Sequence, residues 1–116
     1  MISGMNIDKF LKDCIKQYPN SLVMQFANLK AQKEIMKFMI HDFLPEWKKA
    51  VTRYMDDKGL RELDEDVILQ EIHAKLYLEK GFSAKESELF KNSDPEGHKR
   101  FMEKGVRQAM DHKNPD

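Results

Sequence analysis

The sequence predicts an all-α fold: a compact bundle of five to six helices around a central, two-sided apolar helix at about residues 21–44. Three observations carry this. Apolar residues recur at helical spacing along most of the chain, and no segment alternates as a strand does. Proline, asparagine, serine and glycine fall mainly between the periodic stretches, where helices start and stop. The run from Leu22 has two apolar stripes. Leu22, Phe26, Leu29, Met36, Ile40 and Phe43 share one side, and Met24, Ala27, Ala31, Ile35 and Phe38 lie nearly opposite. A helix apolar on two sides is sandwiched by neighbours rather than laid on a surface.

The first helix is expected over about 6–18, capped by Asn6, with Ile7, Phe10, Leu11, Cys14, Ile15 and Tyr18 on one face. Pro19 and Asn20 break it, and Asn20 or Ser21 can cap the central helix over 21–43. Pro45 ends or kinks that helix, because it lacks the N–H that would bond the His41 carbonyl. It also suits the first position of a third helix over 45–57, with Trp47, Ala50, Val51, Tyr54 and Met55 inward and Gly59 as its left-handed stop. The acidic stretch LRELDED leads to a fourth helix over 64–80, with Ile68, Leu69, Ile72 and Leu76 as its main stripe. Ser83 and Glu86 match a capping box, in which each side chain satisfies the other's backbone N–H, for a helix over 84–91. Asp94 and Pro95 start the last helix, over 95–112, whose inner face is Phe101, Met102, Gly105, Val106 and Ala109. One domain, 1–116, accommodates all of this.

Twenty basic side chains balance twenty acidic ones, so no global field draws the chain to nucleic acid or anionic lipid. The charge is nonetheless segregated: basic through Arg53, acidic over 54–97, and basic again from His98. One cysteine precludes an internal disulfide, and a thiol in an apolar helical stripe reads as a small buried hydrophobe. The N-terminus lacks the apolar core of a signal peptide, and IMKFMIHDFL is too short to span a bilayer, which takes about 20 apolar residues. The expectation is a cytoplasmic protein with no membrane partner.

Little chemistry is signalled. No histidine stands three residues after a glutamate, as a di-iron bundle needs, and neither paired cysteines nor an EF-hand loop is present. No nucleophile elbow or glycine-rich phosphate loop occurs. No metal, cofactor or catalytic residue is therefore expected, and the chain is read as non-enzymatic. His98 and His112 fall toward the inner face of the last helix, where a hydrogen-bonded, partly buried histidine is the ordinary outcome.

Two interaction readings follow. The first is a small protein–protein interaction module, an adaptor, inhibitor or assembly subunit, binding another protein or a second copy of itself. Its candidate contacts are Met39 and Met110, methionines lying off the inner faces of their helices. The second is a nucleic-acid-associated regulator. It would use Lys48, Lys49 and Arg53 on the third helix with Arg100, Lys104 and Arg107 on the last, provided the two faces are coplanar.

Overall fold

The computed structural model describes residues 1–105 and 107. The expected inner-face residues Val106 and Ala109, the candidate contact Met110, and His112 lie outside the described residues. Among the described residues seven α-helices run in order: α1 Ile7–Lys16, α2 Leu22–Phe26, α3 Leu29–Phe38, α4 Leu44–Lys58, α5 His73–Glu79, α6 Phe82–Ser93 and α7 Pro95–Arg100. A 3-10 turn, Tyr18–Asn20, joins α1 to α2, and π-helical turns occupy Met39–Phe43, Val67–Ile72 and Phe101–Gly105. The fold is an all-α bundle with one addition. Ile2–Ser3 (β1) pairs antiparallel with Glu62–Leu63 (β2), setting Ile2 against Leu63 and tying the N-terminus to the connection after α4.

The expected central helix is divided at Ala27–Asn28. Both residues are extended, and the Asn28 side chain caps α3 by accepting from the Ala31 N–H at 2.9 Å. Gln32 donates through Nε2 to the Met24 and Ala27 carbonyls, satisfying groups that the break leaves open. The Asn28 N–H in turn donates to Asp94 Oδ2 at 2.9 Å. That partner is distant in sequence, so the apolar periodicity of Leu22–Phe43 carries no trace of the break.

Pro45 ends nothing. Helical backbone continues from α3 through the Met39–Phe43 turn into α4, and Leu44 donates to the Met39 carbonyl, an i to i−5 bond. A wider turn accommodates the proline, which can neither bond the His41 carbonyl nor approach it as an α-helix requires. It also straightens the core-facing row. Ile35, Met39, Phe43, Trp47, Val51 and Met55 are all buried at four-residue spacing. In an α-helix of 3.6 residues per turn such a row drifts by about 40° at each step. A π turn takes up that drift. The row in α1, Ile7, Leu11 and Ile15, has only three members and needs no such correction.

This continuous run is the structural centre. Its α3 half packs on α6, and its α4 half packs on α1, α5 and the Val67–Ile72 turn, while α7 and the Phe101–Gly105 turn close on α2. The two-sided expectation for 21–44 is met on one side only. The stripe containing Met24, Ala27, Ala31, Ile35 and Phe38 is buried, whereas Leu29 and Ile40 of the opposite stripe are exposed.

The caps follow the sequence unevenly. Gly59 stops α4 in the left-handed region, φ 63°, as expected. Asp94 caps α7 through Oδ1, which accepts from the Gly97 N–H at 3.0 Å, with Pro95 following it. Asn6 and Ser21 occupy N-cap positions without making a side-chain cap bond. The Ser83–Glu86 capping box is not formed: α6 begins two residues earlier than expected, at Phe82, and Glu86 is buried.

Asp94 is itself a prediction about acid stability. The Gly97 N–H above all holds its carboxyl below the ordinary value; burial, second in size, opposes this, and the Asn28 N–H and the charge of Arg100 add to the lowering. A depressed folded pKa contributes stability above the unfolded value that is lost as pH falls through the folded one. In acid-unfolding curves Asp94→Asn should flatten the limb below about pH 4. An unchanged limb would contradict this reading.

Candidate functional site

Two features stand out where α4, α5 and α6 meet. The first is an aromatic and carboxyl cluster. The π turns place Phe43 and Trp47 on the central run opposite His73 and Tyr77, one turn apart on α5. Phe43 meets Trp47, His73, Tyr77 and Phe82 with ring centroids 5.1–6.0 Å apart, mostly edge to face. His73 stacks on Tyr77 at 5.4 Å and stands edge-on to Trp47 at 5.1 Å. Trp47 is 1 % exposed, and among the described residues its Nε1–H meets no hydrogen-bond partner, so packing positions the indole.

Beyond Tyr77 lies Glu86, 6 % exposed, whose Oε2 accepts from the Tyr18 hydroxyl. Burial pushes the Glu86 carboxyl above its ordinary value, and hydrogen bonds from Tyr18 and Tyr77 oppose that shift without cancelling it. Burial, reinforced by the neighbouring carboxyl, pushes both phenols far above the usual tyrosine range. Burial alone pulls His73 down. Burial thus disfavours the charged form of each of these ionisable groups.

The second feature is an open groove between α4 and the helical stretch Val67–Glu79, with a volume of about 420 Å³. Ala50, Tyr54, Ile72 and Leu76 supply apolar surface within it. Lys49, Arg53, Lys75 and Lys80 line it together with Glu46, Asp57 and Glu71. It therefore combines apolar surface with charges of both signs.

Of the candidate contacts named from the sequence, Lys49 and Arg53 line the groove, and the other described ones lie elsewhere. Met39 is a correction: it is 1 % exposed and packed in the core, because the π turn rotates it into the buried row, and it presents no surface to a partner. Lys48 is paired with Asp8 at 3.0 Å, and Lys12 shares the same carboxylate at 2.9 Å. Those two lysines hold the Asp8 carboxyl below its ordinary value. Lys49 is paired with Glu46 at 3.5 Å. Arg53 is exposed and lines the groove. Arg100, Lys104 and Arg107 are exposed, but α7 packs on α2 and α6 whereas α4 packs on α1 and α5. The two basic stretches thus belong to different neighbourhoods of the bundle.

His98 is half-buried, as its position suggested, with Nε2 3.1 Å from Ser87 Oγ and its ring edge-on to Phe90. Cys14 is half-buried, and burial, then Asp13 and Glu65, push its thiol above the ordinary value, so it is a poor nucleophile. Among the described residues no group of three or more potential metal ligands converges, and no helix is long and apolar enough to cross a membrane.

Sequence reasoning missed Tyr18, Tyr77 and Glu86 as a unit. Tyr18 was legible as an apolar-face residue, but Glu86 matched a local capping pattern that tertiary burial overrides. Comparison with protein-family models, curated proteins and solved structures gives no match.

Proposed function

We propose that the chain is a small, non-enzymatic protein–protein interaction module, and that its docking site is the α4–α5 groove. The observation that carries this is the groove's lining, apolar surface together with four cations and three anions. Such a site suits an amphipathic helix of a partner protein, its apolar stripe laid on the half-buried Ala50 and Tyr54 and its flanking charges paired along the groove. Affinity would come from the apolar contact, while the charges would set register and partner choice. The ion pairs that engage Lys48 and Lys49 weigh against phosphate contact as the main role of α4.

Recovery of partners from source lysate after nuclease treatment tests the proposal with three baits: wild type, Ala50→Arg and Arg53→Glu/Lys75→Glu. The first variant fills the groove and the second reverses charges along it. A protein retained by wild type should be lost at least tenfold in both variants, with unfolding midpoints nearly unchanged, since Arg53 and Lys75 are exposed and Ala50 is only half-buried. Retention equal across the three baits would move the docking site away from the groove. Material that disappears on nuclease treatment would instead favour phosphate recognition by Arg100, Lys104 and Arg107.

A further inference from the structure

Glu86 is the buried acid that no packing or capping argument requires. It lies on α6 at 6 % exposure, and Tyr18 from the 3-10 turn and Tyr77 from α5 close on it. The segment following α1 is thereby joined, across 68 residues, to the consecutive helices α5 and α6 at one carboxyl group. We propose that Tyr18, Glu86 and Tyr77 form a pH-sensitive latch, closed while Glu86 is neutral, that ties the segment following α1 to the α5–α6 pair.

The surroundings favour the neutral acid. The phenols stay protonated at any physiological pH and act only as hydrogen-bond donors or acceptors. On α5, His73 stacks on Tyr77, and burial disfavours its charged form as well. The part of α3 buried against the bundle is Ala31, Ile35 and Phe38, with Glu34 on its half-buried margin. Toward α7, His98 is engaged by Ser87, and Asp94 by the Gly97 and Asn28 N–H groups. On α6 itself, Lys85 lies over the Phe82 ring at 5.6 Å. Among the described residues none of the ion pairs includes Glu86. An ionised Glu86 would accept from the Tyr18 hydroxyl but, among the described residues, would have no cation to pair with.

Burial raises the folded pKa above the unfolded value. The latch therefore contributes its full stability below the ordinary carboxylate range and loses it as pH rises through the folded value. The consequence is local. Ionisation draws Glu86 toward water, frees Tyr18, and loosens Tyr18–Asn20 with the adjoining α2.

The test is carbon-13 observation of the glutamate carboxyls across a pH series, with amide exchange measured in parallel. One glutamate, absent in Glu86→Gln, should titrate above the ordinary range near 4.3. Exchange at Val23–Phe26, corrected for its intrinsic pH dependence, should quicken at least threefold across that titration in wild type and stay level in Glu86→Gln. The amide remains neutral and still accepts from a phenol. Comparison with the glutamine variant subtracts the contribution of every other titrating group. Should Glu86→Gln not fold, Tyr18→Phe serves: losing one donor to the carboxylate should shift the Glu86 titration further upward. Either an ordinary Glu86 titration or parallel exchange profiles in the two proteins would overturn the latch.

Discussion

Phe43→Ala is expected to lower folding stability by about 3–5 kcal/mol, the range for deleting a fully buried phenylalanine ring. Phe43 is 0 % exposed and touches four aromatic partners drawn from the central run, α5 and α6. Its loss would leave a cavity that the neighbours cannot easily close, because His73 is stacked on Tyr77 and stands edge-on to Trp47. Denaturant unfolding followed by Trp47 fluorescence reads the change directly. Phe43→Leu retains more of the volume and should cost less than half as much. Equal and small losses for both variants would show that the aromatic cluster is not the core's centre.

Gly97→Ala gives the second large effect, and here sequence and structure predict opposite signs. Gly97 lies in the first turn of α7, where alanine's better helix propensity would favour the change by about 1 kcal/mol. A Cβ at this position, however, would sit 2.5 Å from the Phe26 carbonyl oxygen and closer still to the Asp94 carboxyl that caps the helix. One of those neighbours is backbone and the other is fixed by two N–H donors, so neither yields easily. We expect a net loss of about 2–3 kcal/mol from overpacking and a disrupted cap. Thermal unfolding of the single variant decides the sign, and a raised midpoint would refute the close packing of α7 on α2.

Where the sequence succeeded and failed has a common physical basis. The α1 stripe, the left-handed stop at Gly59 and the Asp94–Pro95 start are encoded by residues within a turn or two of the feature, and all three were legible. The break at Asn28 depends on Asp94, on the far side of the chain, so local periodicity ran straight through it. The continuity of α3 into α4 did leave a signal: the row Ile35, Met39, Phe43, Trp47, Val51, Met55 keeps four-residue spacing across Pro45. Read with a fixed 100° per residue, that row looks like a helix whose apolar face wanders, and Met39 is assigned to an edge. Allowing one π turn brings it into register and buries Met39. Glu86 failed for the converse reason, since a local pattern was complete while the burial that decides its role comes from Tyr18 and Tyr77. Of the groove, the inward line of α4 was readable as a stripe. Its pairing with α5 and the charges along it depend on the tertiary arrangement.

The account's central claim is that the α4–α5 groove receives a partner protein. A photo-crosslinking residue placed at position 50, within the groove, tests it most directly, with position 33 on the exposed face of α3 as the control. Irradiation in source lysate should give a discrete protein adduct from position 50 and none from position 33. Adducts of equal yield from both positions, or none from position 50, would contradict the claim.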